Sequence, residues 1–248
     1  MNHLIYDLKD FYGSRAGRLV RRILTGHIRM FWPETKGLRV VGFGYAVPYL
    51  QIFDSESERV LALMSSGSGV HPWPEGHPSR VCLCDEAAIP LETESVDRLL
   101  VIHGFEMAEN PDEFLAEIWR VLKSNGRLIM IVPNRMGFWA RADWTPFGLG
   151  RPFSMSQINQ HLQHNLFVRE RIERGLYMPP FRSFLLLRTA YTMETFGKFL
   201  FPGLAGIHIV EASKQVYAGT RVSSRANAGR RRILVNRPAG AMQKDNPA

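Results

Sequence analysis

Cysteine is nearly absent from this chain, with two in 248 residues, both in the stretch VCLCDE. Cys82 and Cys84 lie two apart in what reads as a strand, so their side chains share a face. A disulfide at that spacing needs strained geometry, and two thiols cannot complete a zinc site. The expectation is buried reduced thiols and no metal. No apolar run reaches the roughly 18 to 20 residues that cross a bilayer, so no membrane span is expected. Asp7, Lys9 and Asp10 stand where a signal peptide would place its apolar segment, which points to a cytoplasmic protein. Acids are scarce at the two ends. Residues 1–36 hold seven Lys/Arg against three acids, and residues 219–248 hold seven against one. The net charge of +8 therefore belongs to the termini and says little about the centre of the chain.

What is present is a pattern of elements. Between residues 4 and 31, Leu8, Phe11 and Tyr12, then Leu19, Ile23 and Ile28, fall at helical spacing. Gly13 and Gly17 divide this stretch into two short helices and Pro33 stops the second, giving an N-terminal helical cap over 1–36. Residues 37–218 form the main α/β domain, and 219–248 a flexible basic tail. Within the domain, LRVVGF is a buried strand, followed by a short helix through Pro48 to Phe53. RVLALM, RVCLCD and VDRLLVI supply three more strands, with a Gly/Pro/Ser-rich loop after RVLALM. Asn110 caps a helix whose first turn carries Pro111, Asp112 and Glu113, and SNG ends it before the strand RLIMIVPN. Apolar strands alternating with helices mean a parallel sheet covered on both faces, with ligands at the carboxyl ends of its strands.

At the first of those ends, GLRVVGFGYAVPYL carries a glycine turn, Gly42-Phe43-Gly44-Tyr45-Ala46, with alanine where a third glycine is expected. Such a turn lets a ligand approach main-chain N–H groups. Farther along stands DEAAIPLETESVDRLLVIHGFEMAENPDEFLAEIWRVLKSNGRLIMIVPN. Its Asp85, Ile89-Pro90, Val96-Asp97, Phe105-Glu106, RVLKSNG and Pro133-Asn134 resemble, in register, a class I S-adenosylmethionine-dependent methyltransferase of the type 11 group. The resemblance covers residues 38 to 135. It implies a Rossmann-like three-layer α/β sandwich with a mostly parallel seven-stranded sheet. VRERIERGLYMP and IHIVEASKQVYAG would be its sixth and seventh strands, with FRSFLLLRTAYTMETFGKFLF the helix between them.

The resemblance implies S-adenosylmethionine as cofactor, held by Gly42, Phe43, Gly44, Tyr45, Asp85, Glu86, His103 and Gly104, with Asp85 on the adenine amino group. Two positions depart from the family. Val40 stands where an acid is usual, and Met64-Ser65-Ser66 where an acid accepts from the ribose hydroxyls. His103 is the candidate general base, its ordinary pKa lying near 6.5; the plainer alternative is a histidine held by backbone hydrogen bonds. For Asp85 the alternative is a cap on the following turn. Residues 135–153 form an aromatic lid, with Trp139, Trp144, Phe147 and Phe153 to enclose a sulfonium. Asn134, Arg141 and Arg151 are the substrate candidates. The same segment is the candidate surface for a protein partner. Phe11-Tyr12 would pack over the cofactor cleft or simply in the core, and His161 and His164 make a solvated pair. Arg230-Arg231-Arg232 lack interleaved aromatics, so weak non-specific binding is the default, with an RNA substrate left open. Two functions stand: methyl transfer to an unknown acceptor, or a non-catalytic binding protein on the same fold.

Overall fold

The computed structural model describes residues 3–65, 72–74, 76–181, 190–200 and 202–215. The basic tail, Ser66 and residues 182–189 of the expected helix FRSFLLLRTAYTMETFGKFLF lie outside the described residues. Helices α1 (His3–Gly13) and α2 (Arg15–Phe31) come first. The Ser14 side chain accepts from the Gly17 N–H and starts α2, which buries Val20, Leu24 and Ile28 and turns Arg15, Arg18, Arg21 and Arg22 to solvent. Gly17 is where the two helices touch, since a Cβ there would lie 2.0 Å from the Phe11 carbonyl oxygen.

The domain follows as β1 (Arg39–Gly44), α3 (Val47–Leu50, prolonged by a 3-10 turn over Gln51–Phe53), β2 (Arg59–Ser65), β3 (Val81–Cys84) and β4 (Val96–Ile102). Then come α4 (Pro111–Val121), β5 (Leu122–Pro133), α5 (Met155–His164), β6 (Phe167–Gly175), α6 (Ala190–Leu200) and β7 (Ile207–Lys214). The seven strands run in the order β3-β2-β1-β4-β5-β7-β6, with β7 antiparallel to both neighbours and every other pair parallel. Strand order reverses between β1 and β4, so a ligand crevice belongs above their carboxyl ends.

Two layers of apolar side chains sandwich the sheet. Val40, Leu100 and Ile129 pack with α2 and α3 on one face, and Val41, Phe43 and Leu99 pack with α4 and α5 on the other. Two local expectations shift. The SNG segment does not lie between helix and strand: Leu122 already pairs with Val96, and the chain bulges before Arg127 resumes the ladder opposite Arg98. Lys123 Nζ holds that bulge by reaching both Asp97 carboxylate oxygens at 2.8 Å. Of the two free cysteines only Cys84 is buried; Cys82 lies exposed on the edge strand β3. Burial pushes the Cys84 thiol up to about 12.

Candidate functional site

The glycine turn closes tightly onto the neighbouring strand. Gly44 has φ +79°, and a Cβ there would lie 2.3 Å from the Ile102 carbonyl oxygen, so only glycine lets β1 pass this close to β4. The Tyr45 N–H donates to that same oxygen at 2.8 Å. A Cβ on Gly42 would meet the Ala46 methyl at 2.6 Å and Leu50 at 2.8 Å. The alanine that replaces the third glycine thus turns inward, filling the space in front of Gly42, and takes nothing from the crevice. Phe43 projects to the opposite face of the sheet, its ring centroid 4.5 Å from that of Phe114. Gly104 packs beneath, where a Cβ would lie a tight 3.0 Å from the Phe43 ring and 3.2 Å from Val101.

Over this turn sits His103, at φ +53° and with its side chain fully shielded from solvent. Nδ1 lies 3.1 Å from Glu106 Oε1 and Nε2 lies 2.8 Å from the Tyr12 hydroxyl. A carboxylate only accepts, so Nδ1 carries the proton; Nε2 presents a lone pair, and the Tyr12 O–H donates to it. Burial raises the Tyr12 phenol well above its ordinary 10, so the ring stays a neutral donor. The Tyr12 ring stacks on Tyr45 with centroids 5.4 Å apart, and burial pushes the Tyr45 phenol up to about 12. Phe147 lies 4.7 Å from the His103 ring. Glu106 Oε2 is buried with no partner among the described residues.

The other expected residues are spread around this centre. Asp85 is exposed at the end of β3, where Oδ1 accepts from the Ala87 N–H at 2.9 Å, and Oδ2 takes no bond among the described residues. Glu86 Oε1 accepts from the Glu109 N–H at 2.6 Å; burial raises its carboxyl, against the pull of that N–H. Met64 is buried and Ser65 half-buried at the end of β2, and neither side chain is a carboxylate. Asn134 donates to Gly203 O and Ala205 O and accepts from the Met136 N–H, so its side chain is fully engaged in holding its own loop. Arg141 and Arg151 are exposed. The lid folds inward: Trp139, Phe147 and Phe153 are buried, and the Trp139 Nε1–H donates to Met178 O at 2.6 Å. His161 is not simply solvated. Its Nδ1 lies 2.8 Å from Asp112 Oδ1, tying α5 to the start of α4, because the fold supplies an acid that is 49 residues away in sequence.

Sequence reasoning set Phe11-Tyr12 over the cleft or in the core and read Phe105-Glu106 only as part of the motif, and it tied neither Tyr12 nor Glu106 to His103. Glu106 stands three residues beyond it and becomes a partner only through the left-handed turn at His103. Tyr12 comes from a helix 91 residues away, and no spacing marks it.

On the adenosine side of the crevice, Asp85 is an exposed carboxylate with one oxygen unbonded among the described residues, the chemistry that an adenine amino group of S-adenosylmethionine would need. At the β1–β4 end the Tyr12 ring, stacked on Tyr45 and bonded to His103, lies beside the glycine turn, where the methionine end of that cofactor would have to go.

A sequence-family model described as a methyltransferase domain matches residues 41–130. No curated protein matches the sequence. Among solved structures, a methyltransferase in complex with the Haloferax volcanii Trm112 methyltransferase activator superposes with a TM-score of 0.61. It is 15% identical, over 87% of this chain and 99% of that one. A Thermotoga maritima S-adenosylmethionine-dependent methyltransferase, described as a possible histamine N-methyltransferase, gives 0.59 at 14% identity over 86% and 97%. The [4+2]-cyclase SpnF gives 0.56 at 18% identity over 79% and 81%. At these identities the likeness establishes the fold, and the cyclase among them means that the fold by itself does not dictate one reaction.

Proposed function

We propose that this chain, which carries a class I methyltransferase domain over residues 41–130, transfers a methyl group from S-adenosylmethionine to an acceptor, with the cytoplasm as its compartment. The observation that carries the reading is the buried Tyr12–His103–Glu106 chain at the carboxyl end of β4. When bound, the cofactor supplies an electrophilic methyl group on a sulfonium. The protein's own part is alignment, exclusion of water and removal of a proton. Asp85 and Glu86 hold the adenine end, and the turn from Gly42 to Tyr45, with Gly104, shapes the wall beside it. His103 Nε2 takes a proton from the acceptor, in the place where the Tyr12 O–H now donates. Glu106 keeps the proton on Nδ1 and stabilises the imidazolium that forms. Phe147, Tyr45 and Trp139 keep bulk water out. Arg141 and Arg151 are free to engage an anionic acceptor, while Asn134 acts by fixing the loop that carries them. Two free cysteines suit a reducing compartment.

Calorimetric titration with S-adenosylmethionine and S-adenosylhomocysteine tests this. Micromolar binding, about −8 kcal/mol, is expected. Asp85→Asn is expected to weaken it roughly tenfold, the value of a charge-assisted hydrogen bond. His103→Ala is expected to leave binding within a few-fold yet lower turnover roughly 10²-fold or more once an acceptor is found. Absence of heat at millimolar ligand would overturn the reading.

That outcome would favour the second reading, a non-catalytic binding protein. Its supports are Tyr12 seated in the crevice, Val40 fully packed in the core where an acid is usual, and no acid at the end of β2. The partner surface would then be the outer side of residues 135–153, where Met136, Phe138 and Leu149 are exposed. The Haloferax relative was solved with its activator protein, which makes a protein partner a concrete search.

A further inference from the structure

Helix α6 docks through one side only. Met193 packs against the core, Glu194 accepts from the Met178 N–H, and Gly197 lies so close to Tyr177 that a Cβ would sit 2.5 Å from that residue's own Cβ. Beyond these contacts, α6 leaves Phe196, Phe199 and Leu200 60%, 87% and 58% exposed. Met30 on α2 is a further exposed apolar side chain, 55% accessible. An open groove of about 750 Å³ lies here, lined by His27 of α2, Arg174 of β6, and Glu194, Phe196, Lys198 and Phe199 of α6.

Helix α2, which reaches the groove through His27, carries five arginines and no acid. Its outer face presents Arg15, Arg18, Arg21 and Arg22, and Arg21 and Arg22 make no ion pair among the described residues. The carboxylates near the groove are already spent. Glu173 pairs with Lys198 at 2.9 Å, and Glu194 is turned inward, where burial raises its carboxyl. Large exposed rings are costly in water, and the arginine-bearing outer face of α2, with no acid on that helix, calls for anions in front of it.

We propose that the α2–α6 face docks on an anionic lipid surface. Phe196, Phe199 and Leu200 enter the boundary between headgroups and acyl chains, while the α2 arginines lie over the anionic headgroups. This is the division of labour expected of an interfacial helix pair that lies on a bilayer without crossing it. Among the described residues no helix is long and apolar enough to cross a membrane. Charge favours a bilayer as the occupant: it offers an apolar interior and a continuous negative surface together. Residues 219–248 add seven Lys/Arg against one acid to the chain. The proposal is independent of the methyltransferase reading and stands or falls apart from it.

Sedimentation of the full-length protein with vesicles tests it, using phosphatidylcholine alone and phosphatidylcholine with about one-third phosphatidylglycerol. Binding to the anionic vesicles that weakens as salt rises is expected, with little on the neutral ones. The double change Phe196→Ser/Phe199→Ser is expected to lower the partition constant roughly tenfold or more. Arg21→Gln/Arg22→Gln is expected to lower it several-fold, at about one lipid-facing charge each. All four side chains are exposed, so unchanged melting temperatures will confirm that both variants fold. Failure of the wild type to sediment overturns the proposal. So does binding that ignores both variants but vanishes when residues 219–248 are removed. A lipid-free dimer that Phe196→Ser/Phe199→Ser dissociates would assign the face to a second copy and overturn it as well.

Discussion

His208 illustrates how a single residue can set a pH limit for the whole fold. It lies in β7, between Val132 of β5 and Arg174 of β6, and both ring nitrogens are buried without a partner among the described residues. Burial, with Arg174 nearby, pushes its pKa down to about 4. The unfolded chain binds a proton near 6.5 while the folded chain refuses it until about 4. Stability is therefore intact above 6.5 and falls as the pH drops through that window, by about 3 kcal/mol at its lower end. Urea unfolding of the wild type and of His208→Leu at a series of pH values checks this: the variant's profile is expected to be flatter between 6.5 and 4. His103 is the contrasting case. Its nitrogens are both bonded, and those bonds hold the buried ring in one orientation. The residue type was visible in the sequence at both positions, but the partners that separate the two fates were not.

At the level of elements, the joint between α2 and the β1–β2 layer rests on one carboxylate. Glu56 accepts from Arg29 of α2 and from the Thr35 hydroxyl at 2.6 Å, and Thr35 itself is fully buried. The Arg29 guanidinium, and then the Thr35 hydroxyl, hold the Glu56 carboxyl below the ordinary carboxylate range. Its contribution is present above the usual carboxylate pKa and is lost as pH falls through the lower folded value. Glu56→Gln is expected to lower the melting temperature at neutral pH and to bring it nearer the wild type's in acid, read by thermal unfolding at both pH values. The elements themselves were largely legible. Asn110 does accept from the Asp112 and Glu113 N–H groups as a helix cap should, and the apolar run of β4 lies between two parallel neighbours. The boundary after α4 was not legible, because Lys123 and Asp97 fix it across the sheet.

For the whole molecule, the N-terminal helices stand over the crevice and not merely beside it. Phe11 meets Trp144 and Phe147 of the lid, and Tyr12 meets Tyr45, Tyr49 and His103. If the cofactor displaces this cluster, α1 must loosen from the body as it binds. Tryptic cleavage at Arg15 and Arg18, beside the Gly13 junction, is then expected to speed up on adding S-adenosylmethionine, although ligand binding otherwise protects a fold. Unchanged or slower cleavage at those sites, in a sample that binds the ligand, would mean that Tyr12 stays where it is and the methionine end lies elsewhere.

The sequence alone settled the alternation of strands and helices, because burial on two faces forces near-continuous apolar strands and local chemistry caps the helices between them. It also settled the glycine turn, since Gly44 is required by backbone geometry. Only tertiary structure decided what occupies the crevice. Tyr12, His103 and Glu106 meet through a left-handed turn and a helix folded back over 91 residues, and side-chain contacts at that range leave no periodic mark in a sequence.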